Sequence, residues 1–324
     1  MNPPLSEFQT RLIAALQNGL PICAKPFARI AELLNCTEEE VLRETNLLKT
    51  QGVIRRIGVK LNYRALGRTA TLVAAAIPEK ILAEVTEAVN SLQNVSHNYL
   101  RQHRYNLWFT LQADSASQIN ETLNNLSFRF GINFLNLPAV RIFKLDVRFD
   151  AGNTTQVLQD VDQPCEVIDL NSNEKTILNK IQEELPIISE PFESLATESF
   201  NSGDVLKIVT ELMNKGVIQR IAAVVYHQRL GFVANVMFVS KVGPERTIEA
   251  GSRLASLQMV SHCYERKTCN DWTYNLFAMM HGRSMAEIQK AIDGFIKDEK
   301  IDSFELLPTL TELKKQPVKI SLTR

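Results

Sequence analysis

Val95-Ser96-His97-Asn98-Tyr99-Leu100-Arg101 returns in the second half of the chain as Val260-Ser261-His262-Cys263-Tyr264-Glu265-Arg266. Working outward, Tyr105-Asn106-Leu107-Trp108 returns as Tyr274-Asn275-Leu276-Phe277. Further upstream, Gly52-Val53-Ile54-Arg55-Arg56-Ile57 returns as Gly216-Val217-Ile218-Gln219-Arg220-Ile221. Repetition on this scale describes two copies of one domain set rather than a solenoid of small units. Apolar positions alone would keep a core. That His, Tyr and Arg return in the same order points to a shared site chemistry.

The bulk numbers bound the classes. A chain of 324 residues suggests two domains or so, each half able to bury its own core. Hydrophobic residues at 45% and charged residues at 22% are ordinary for a globular protein. The formal net charge of zero gives no strong pull toward nucleic acid or membrane. There is no apolar run of transmembrane length, and the start lacks the basic and apolar regions of a signal peptide. The five cysteines are odd in number with no Cys-x-x-Cys pair, so a reducing cytoplasm is the simplest setting.

Each half reads as a helical start followed by an α+β module. Leu5, Phe8, Leu12, Ile13 and Leu16 follow helical spacing. A second short helix spans 27–34. Thr37 and Glu40 fit a capping box for a third helix that Gly52 stops. The second half repeats this plan up to Gly216. The period then changes to strand–helix–strand–strand–helix–strand, a ferredoxin-like order. The strands are expected at 71–77, 95–101, 105–112 and 140–147, with counterparts at 234–241, 259–266, 273–281 and near Phe304. The fold class expected is α+β: a tandem repeat of winged helix-turn-helix plus ferredoxin-like βαββαβ module, forming an intrachain pseudo-dimer. The boundaries are a first helix-turn-helix domain at 1–68, a first ferredoxin-like domain at 69–149, a polar linker at 150–172, a second helix-turn-helix domain at 173–231 and a second ferredoxin-like domain at 232–324.

Alternate residues of a strand share a face. His97, Tyr99 and Arg101, and likewise His262, Tyr264 and Arg266, therefore project onto one face of their sheets. Such a face pairs with another sheet, its polar groups bonded across the interface, or lines a ligand cavity. In the cavity reading Arg suits carboxylates, and Tyr and His suit proton transfer or metal ligation. Arg55, Arg56, Lys60, Arg64 and Arg68 form a basic run, either a solvated face or a collar for a ligand with several carboxylates; Arg220 and Arg229 are the sparser counterpart. His103 and Trp108 belong to the first hairpin, and His281 has no His counterpart in the first copy. These aromatic, His-rich hairpins either clasp a flat macrocycle or pack a core. Against DNA binding stands the would-be recognition helix, which opens on Glu38-Glu39-Glu40 where phosphates would have to approach.

With these residues in view the chain resembles the Lrp/AsnC regulators in fold, and their enzymatic branch, the siroheme decarboxylases, in its finer motifs. His97-Asn98-Tyr99-Leu100-Arg101 with Tyr105-Asn106-Leu107-Trp108 looks like one subunit of that enzyme. His262-Cys263-Tyr264-Glu265-Arg266 with Tyr274-Asn275-Leu276-Phe277 and His281-Gly282 looks like the other, the two fused in one chain. The resemblance implies a carboxy-lyase. It would remove two acetate carboxyl groups from siroheme, giving 12,18-didecarboxysiroheme and two carbon dioxide molecules on a route to haem d1 or haem. No external cofactor is implied, because the iron belongs to the substrate. His97, Tyr99, His262 and Tyr264 would deliver protons. Arg55, Arg56, Lys60, Arg101, His103, Trp108, Arg220, Arg266 and His281 would bind substrate, and His227 or His103 would ligate the siroheme iron axially. A homodimer of pseudo-dimers and contact with other haem biosynthesis enzymes fit the same picture, with no membrane partner. Two other readings stay open: a DNA-binding regulator that senses a small ligand, and a non-catalytic tetrapyrrole-binding protein.

Overall fold

The computed structural model describes residues 5–145, 159–160 and 166–322. The first half opens with α1 (Glu7–Asn18), α2 (Pro26–Leu34), α3 (Glu38–Thr50) and β1 (Ile54–Leu61). Ser6 and Gln9 close a reciprocal capping box on α1. Pro26 begins α2, where its missing N–H leaves nothing unpaired. Thr37 accepts the Glu40 amide at the start of α3. The return bond expected from Glu40 is not made; its carboxylate lies 3.9 Å from Arg43 instead. The repeated Gly-Val-Ile has a local cause. Gly52 and Gly216 take φ near +70°, which terminates the helix and lets the following Val amide bond back, Val53 to Leu48 at 2.9 Å and Val217 to Leu212 at 3.0 Å.

The first half continues with β2 (Thr69–Ala75), α4 (Glu79–Ser91), β3 (Val95–Arg101), β4 (Leu107–Ala113), α5 (Ala116–Phe130) and β5 (Phe134–Leu145). Within the stretch read as linker, β6 (Gln159–Asp160) pairs with β5, and Leu170 is buried. The second half brings α6 (Ser172–Ile181), α7 (Ser202–Asn214), β7 (Ile218–Val225), β8 (Ala234–Ser240), α8 (Thr247–Ser256), β9 (Val260–Arg266), β10 (Leu276–Gly282), α9 (Met285–Glu299) and β11 (Phe304–Lys315). Its counterpart of α2 is only a 3₁₀ turn, Pro191–Leu195. β5 starts six residues before the position expected for the last strand of the first module.

The helical starts do not stand apart. β1 pairs antiparallel with β7, and Leu12, Leu48 and Ile57 share one core with Ile177, Leu212 and Ile221. The two ferredoxin-like sheets, ordered β5-β2-β4-β3 and β11-β8-β10-β9, exchange their outer strands. The first part of β5 pairs with β2, and from Ala139 onward it pairs with β9 of the other copy. β11 does the same, with β8 up to Pro308 and with β3 from Thr309. The strands thereby close into a ring. Helices α4 and α5 cover one sheet and α8 and α9 the other, each over its own apolar cluster. A third cluster, with Trp108, Leu137, Trp272, Phe277 and Leu307, packs part of the two inner faces together.

The repeated Tyr-Asn-Leu acquires a structural meaning here. The Asn106 amide exchanges two 2.9 Å bonds with the Ile77 backbone. Asn275 does so with Val242 at 2.8 and 3.0 Å. Both asparagines clamp the end of the module's first strand to its hairpin. No helix among the described residues is long and apolar enough to cross a membrane.

Candidate active site

Alternation along β3 sends Asn98 outward to Asn90 at 3.0 Å and turns His97, Tyr99 and Arg101 inward. The His97 and Tyr99 rings stack at 6.2 Å and 23°, and the Arg101 guanidinium lies 5.3 Å from the Tyr99 ring centre. The second copy repeats this: His262 and Tyr264 stack at 6.3 Å and 19°, with Arg266 at 4.6 Å from the Tyr264 ring. Each arginine reaches the other copy's exchanged strand. Arg101, 3% exposed, donates to the Leu307 carbonyl at 3.0 Å and to Thr309 Oγ1 at 2.9 Å. Arg266 donates to the Leu137 carbonyl at 2.9 Å. Among the described residues the Nε of neither arginine meets an acceptor. Burial pushes both guanidinium groups down to about 10, which leaves them cationic at neutral pH. Burial raises both tyrosines, so each keeps its phenolic proton.

The two half-sites differ in what the exchanged strand supplies. Bulges in β11 set Thr309, Glu312 and Lys315 opposite Arg101, Tyr99 and His97. The matching bulges in β5 set Ala139, Ile142 and Leu145 opposite Arg266, Tyr264 and His262. The first half-site therefore faces an ion pair, Lys315 to Glu312 at 3.5 Å, and the second faces two aliphatic side chains. The wing strand β1 reaches both. Arg55 donates to the Lys315 carbonyl and lies 5.5 Å from the Tyr226 ring. Lys60 donates to the Leu145 carbonyl at 2.9 Å. His97 Nδ1 sits 2.8 Å from Ser96 Oγ. His262 Nδ1 sits 2.9 Å from Ser261 Oγ, which also meets Nε2 of the buried His281 at 2.9 Å.

Burial, then the charges of Lys315 and Arg55, push His97 from the usual 6.5 down to about 4. Folding thus favours the neutral ring. Between those two values the unfolded chain takes up a proton that the folded chain refuses, so stability falls as pH drops through the window. The expected loss is roughly 2–3 kcal/mol. His97→Gln should remove this part of the acid sensitivity. Urea unfolding of both proteins at about pH 7.5 and about pH 4.5 measures it; equal pH dependence in the two would refute the assignment.

Other expected site residues lie elsewhere or are already engaged. Both ring nitrogens of His103 are taken: Nδ1 accepts the Tyr105 amide at 3.0 Å and Nε2 meets Glu305 at 2.6 Å. Trp108 is core rather than rim, packed 5.2 Å from Trp272, its Nε1 donating to the Tyr105 carbonyl at 2.6 Å. The Arg56 guanidinium folds back over Gly58, and the stem of Arg220 lies against Gly19. His227 starts a 3₁₀ turn, and its side chain lies outside the described residues. The would-be recognition helix α3 touches the other copy near both ends, where Ser189 donates to Glu38 at 2.8 Å and Lys49 pairs with Glu184 at 2.5 Å, while Glu39, Arg43, Asn46 and Leu47 stay exposed. A surface cavity of about 290 Å³ between α6 and α7 is lined by none of the candidates. Glu312, Lys315 and Thr309 are the site residues that the sequence reading missed. They carry no local signal, since only the exchange of β11 brings them to β3.

Two family models match the chain. One describes an AsnC-like ligand binding domain and covers residues 65–144 and 229–314. The other describes a siroheme decarboxylase NirDL-like HTH domain and covers 9–55 and 174–218. The chain is 31% identical over 312 residues to a siroheme decarboxylase of Hydrogenobacter thermophilus, spanning 95% of this chain and 93% of that protein. It is also 31% identical over 292 residues to the siroheme decarboxylase NirDL subunit of Paracoccus pantotrophus, spanning 89% of each. Among solved structures, a siroheme decarboxylase NirDL in co-complex with an iron-uroporphyrin III analogue superposes with a TM-score of 0.75 at 28% identity, over 98% of this chain and 95% of that one.

Proposed function

The chain belongs to the siroheme decarboxylase family in its fused NirDL form, and from that premise we propose that its inner face holds siroheme between the two His-Tyr-Arg trios and removes carbon dioxide from two acetate groups. The observation that carries this reading is the pair of buried, cationic arginines beneath the tyrosine rings, each with an Nε donor unmatched. A buried guanidinium with a spare donor calls for a carboxylate, and siroheme presents eight. Arg55, Lys60 and Lys315 add positive charge at the rim.

Breaking the bond between the acetate methylene and its carboxyl releases carbon dioxide and leaves an electron pair on the methylene, which the macrocycle delocalises. A proton then completes a methyl group. Tyr99 and Tyr264 are the donors we favour, because each retains its proton at neutral pH and has a guanidinium beside the phenolate that donation leaves. His97 is neutral at that pH and so does not serve as the acid in this scheme. Arg101 and Arg266 orient the reacting carboxylate, and they assist only if they hold the transition state more tightly than the ground state. His227 remains the axial candidate for the substrate iron, whereas His103 is committed to Glu305. The scheme needs no further cofactor. The cytoplasm suits the free thiols of Cys23, Cys36, Cys263 and Cys269.

Anaerobic incubation of the protein with siroheme, followed by mass analysis of the tetrapyrrole, tests this reading. Loss of two carbon dioxide units is expected. Siroheme bound and returned unchanged would replace the enzyme by a carrier.

A further inference from the structure

The two half-sites share their trios and differ in the residues facing them, and that difference has a chemical direction. At the first half-site the strand register puts Glu312 opposite Tyr99 and Lys315 opposite His97. The Glu312 carboxylate lies on the same face as Tyr99 across the strand pair and pairs with Lys315 at 3.5 Å. Glu312 is 35% exposed and Lys315 22%, so this chain of groups runs from the buried phenol out to solvent. At the second half-site Ile142 and Leu145 occupy those places. The polar chain there runs inward instead, from His262 through Ser261 to His281, which is 8% exposed.

We propose that Glu312 relays protons from solvent to Tyr99, making the first half-site the one that is recharged between successive decarboxylations. The proposal rests on the decarboxylase reading above. In balanced form, the carbon–carbon bond breaks, carbon dioxide leaves, and the electron pair stays on the methylene. Tyr99 transfers its hydroxyl proton to that carbon and becomes phenolate. The Glu312 carboxylate takes a proton from solvent and passes it to the phenolate, which restores both the Tyr99 hydroxyl and the carboxylate paired with Lys315. With both carboxyl groups leaving at this half-site in turn, one such cycle intervenes between them. Glu312 acts through Tyr99 and is a positioning and relay residue rather than a group in contact with substrate.

The test is anaerobic rapid-quench kinetics with siroheme, comparing wild type, Glu312→Gln and Glu312→Ala, with siroheme binding followed by absorption. In Glu312→Gln the first carbon dioxide should be released at close to the wild-type rate, because Tyr99 starts protonated. The second should slow by about tenfold or more, so that monodecarboxylated product accumulates. Millimolar formate should restore the second step in Glu312→Ala. Equal slowing of both steps, or slowing without formate rescue, would mean a structural role and overturn the relay. Wild-type rates in both variants would overturn it too. A wild-type protein that never releases carbon dioxide from siroheme would instead overturn the decarboxylase reading on which the relay depends.

Discussion

Tyr99→Phe is expected to cut carbon dioxide release from siroheme by about 10²–10⁴-fold, the usual contribution of a positioned general acid. The substitution keeps the ring that stacks on His97 at 6.2 Å and lies against Arg101, so folding and siroheme affinity should change little. What disappears is the hydroxyl proton on the side chain that Glu312 faces across the strand pair. Tyr264→Phe should cost less than about tenfold, because Ile142 faces Tyr264 where Glu312 faces Tyr99. Anaerobic turnover of the two variants, alongside binding titrations, measures both effects. Equal losses would make the two half-sites equivalent donors despite Glu312, and full activity in Tyr99→Phe would remove this residue from the mechanism.

Arg101→Ala is expected to lower kcat/KM by on the order of 10²-fold. Part of the loss is electrostatic, since the guanidinium beneath Tyr99 is removed. Part is structural, since the Leu307 carbonyl and Thr309 Oγ1 lose their donor and β3 loses a tie to the exchanged β11. Arg101→Lys separates the two. It keeps the charge but cannot reach two acceptors with the same planar fork, so it should fold like wild type and still lose activity. Wild-type turnover in a folded Arg101→Ala protein would sink the assignment. The pseudo-equivalent Arg266 donates to the Leu137 carbonyl, so it provides the matched comparison.

Much of this was legible before any coordinates. Gly52 and Gly216 announce helix ends because only a residue without Cβ takes the required positive φ cheaply. The trios announce a shared strand face because side-chain alternation is a local property of extended chain. The acidic opening of α3 speaks against DNA by charge alone, and in the fold Glu38 accepts from Ser189 of the other copy. Tyr-Asn-Leu was noticed as a signature but not understood. Its asparagine is a clamp on backbone 29 or 33 positions away, and no local pattern reveals such a partner.

The chain by itself determined the duplication, the α+β modules and the inward-facing His, Tyr and Arg, because these follow from periodicity and capping within a few residues. Tertiary structure alone decided which basic residues meet the exchanged strands: Arg55 and Lys60 donate to their carbonyls, whereas the Arg56 guanidinium folds over Gly58. It also decided the fate of His103, whose partner Glu305 lies on a strand of the other copy. Above all it placed Glu312 and Lys315. Those residues are three apart on a strand whose ordinary period is two, and only the bulges of β11 bring both to one face. The groove they face is formed by β3, about two hundred residues earlier in sequence, so the site is a property of strand exchange rather than of any segment.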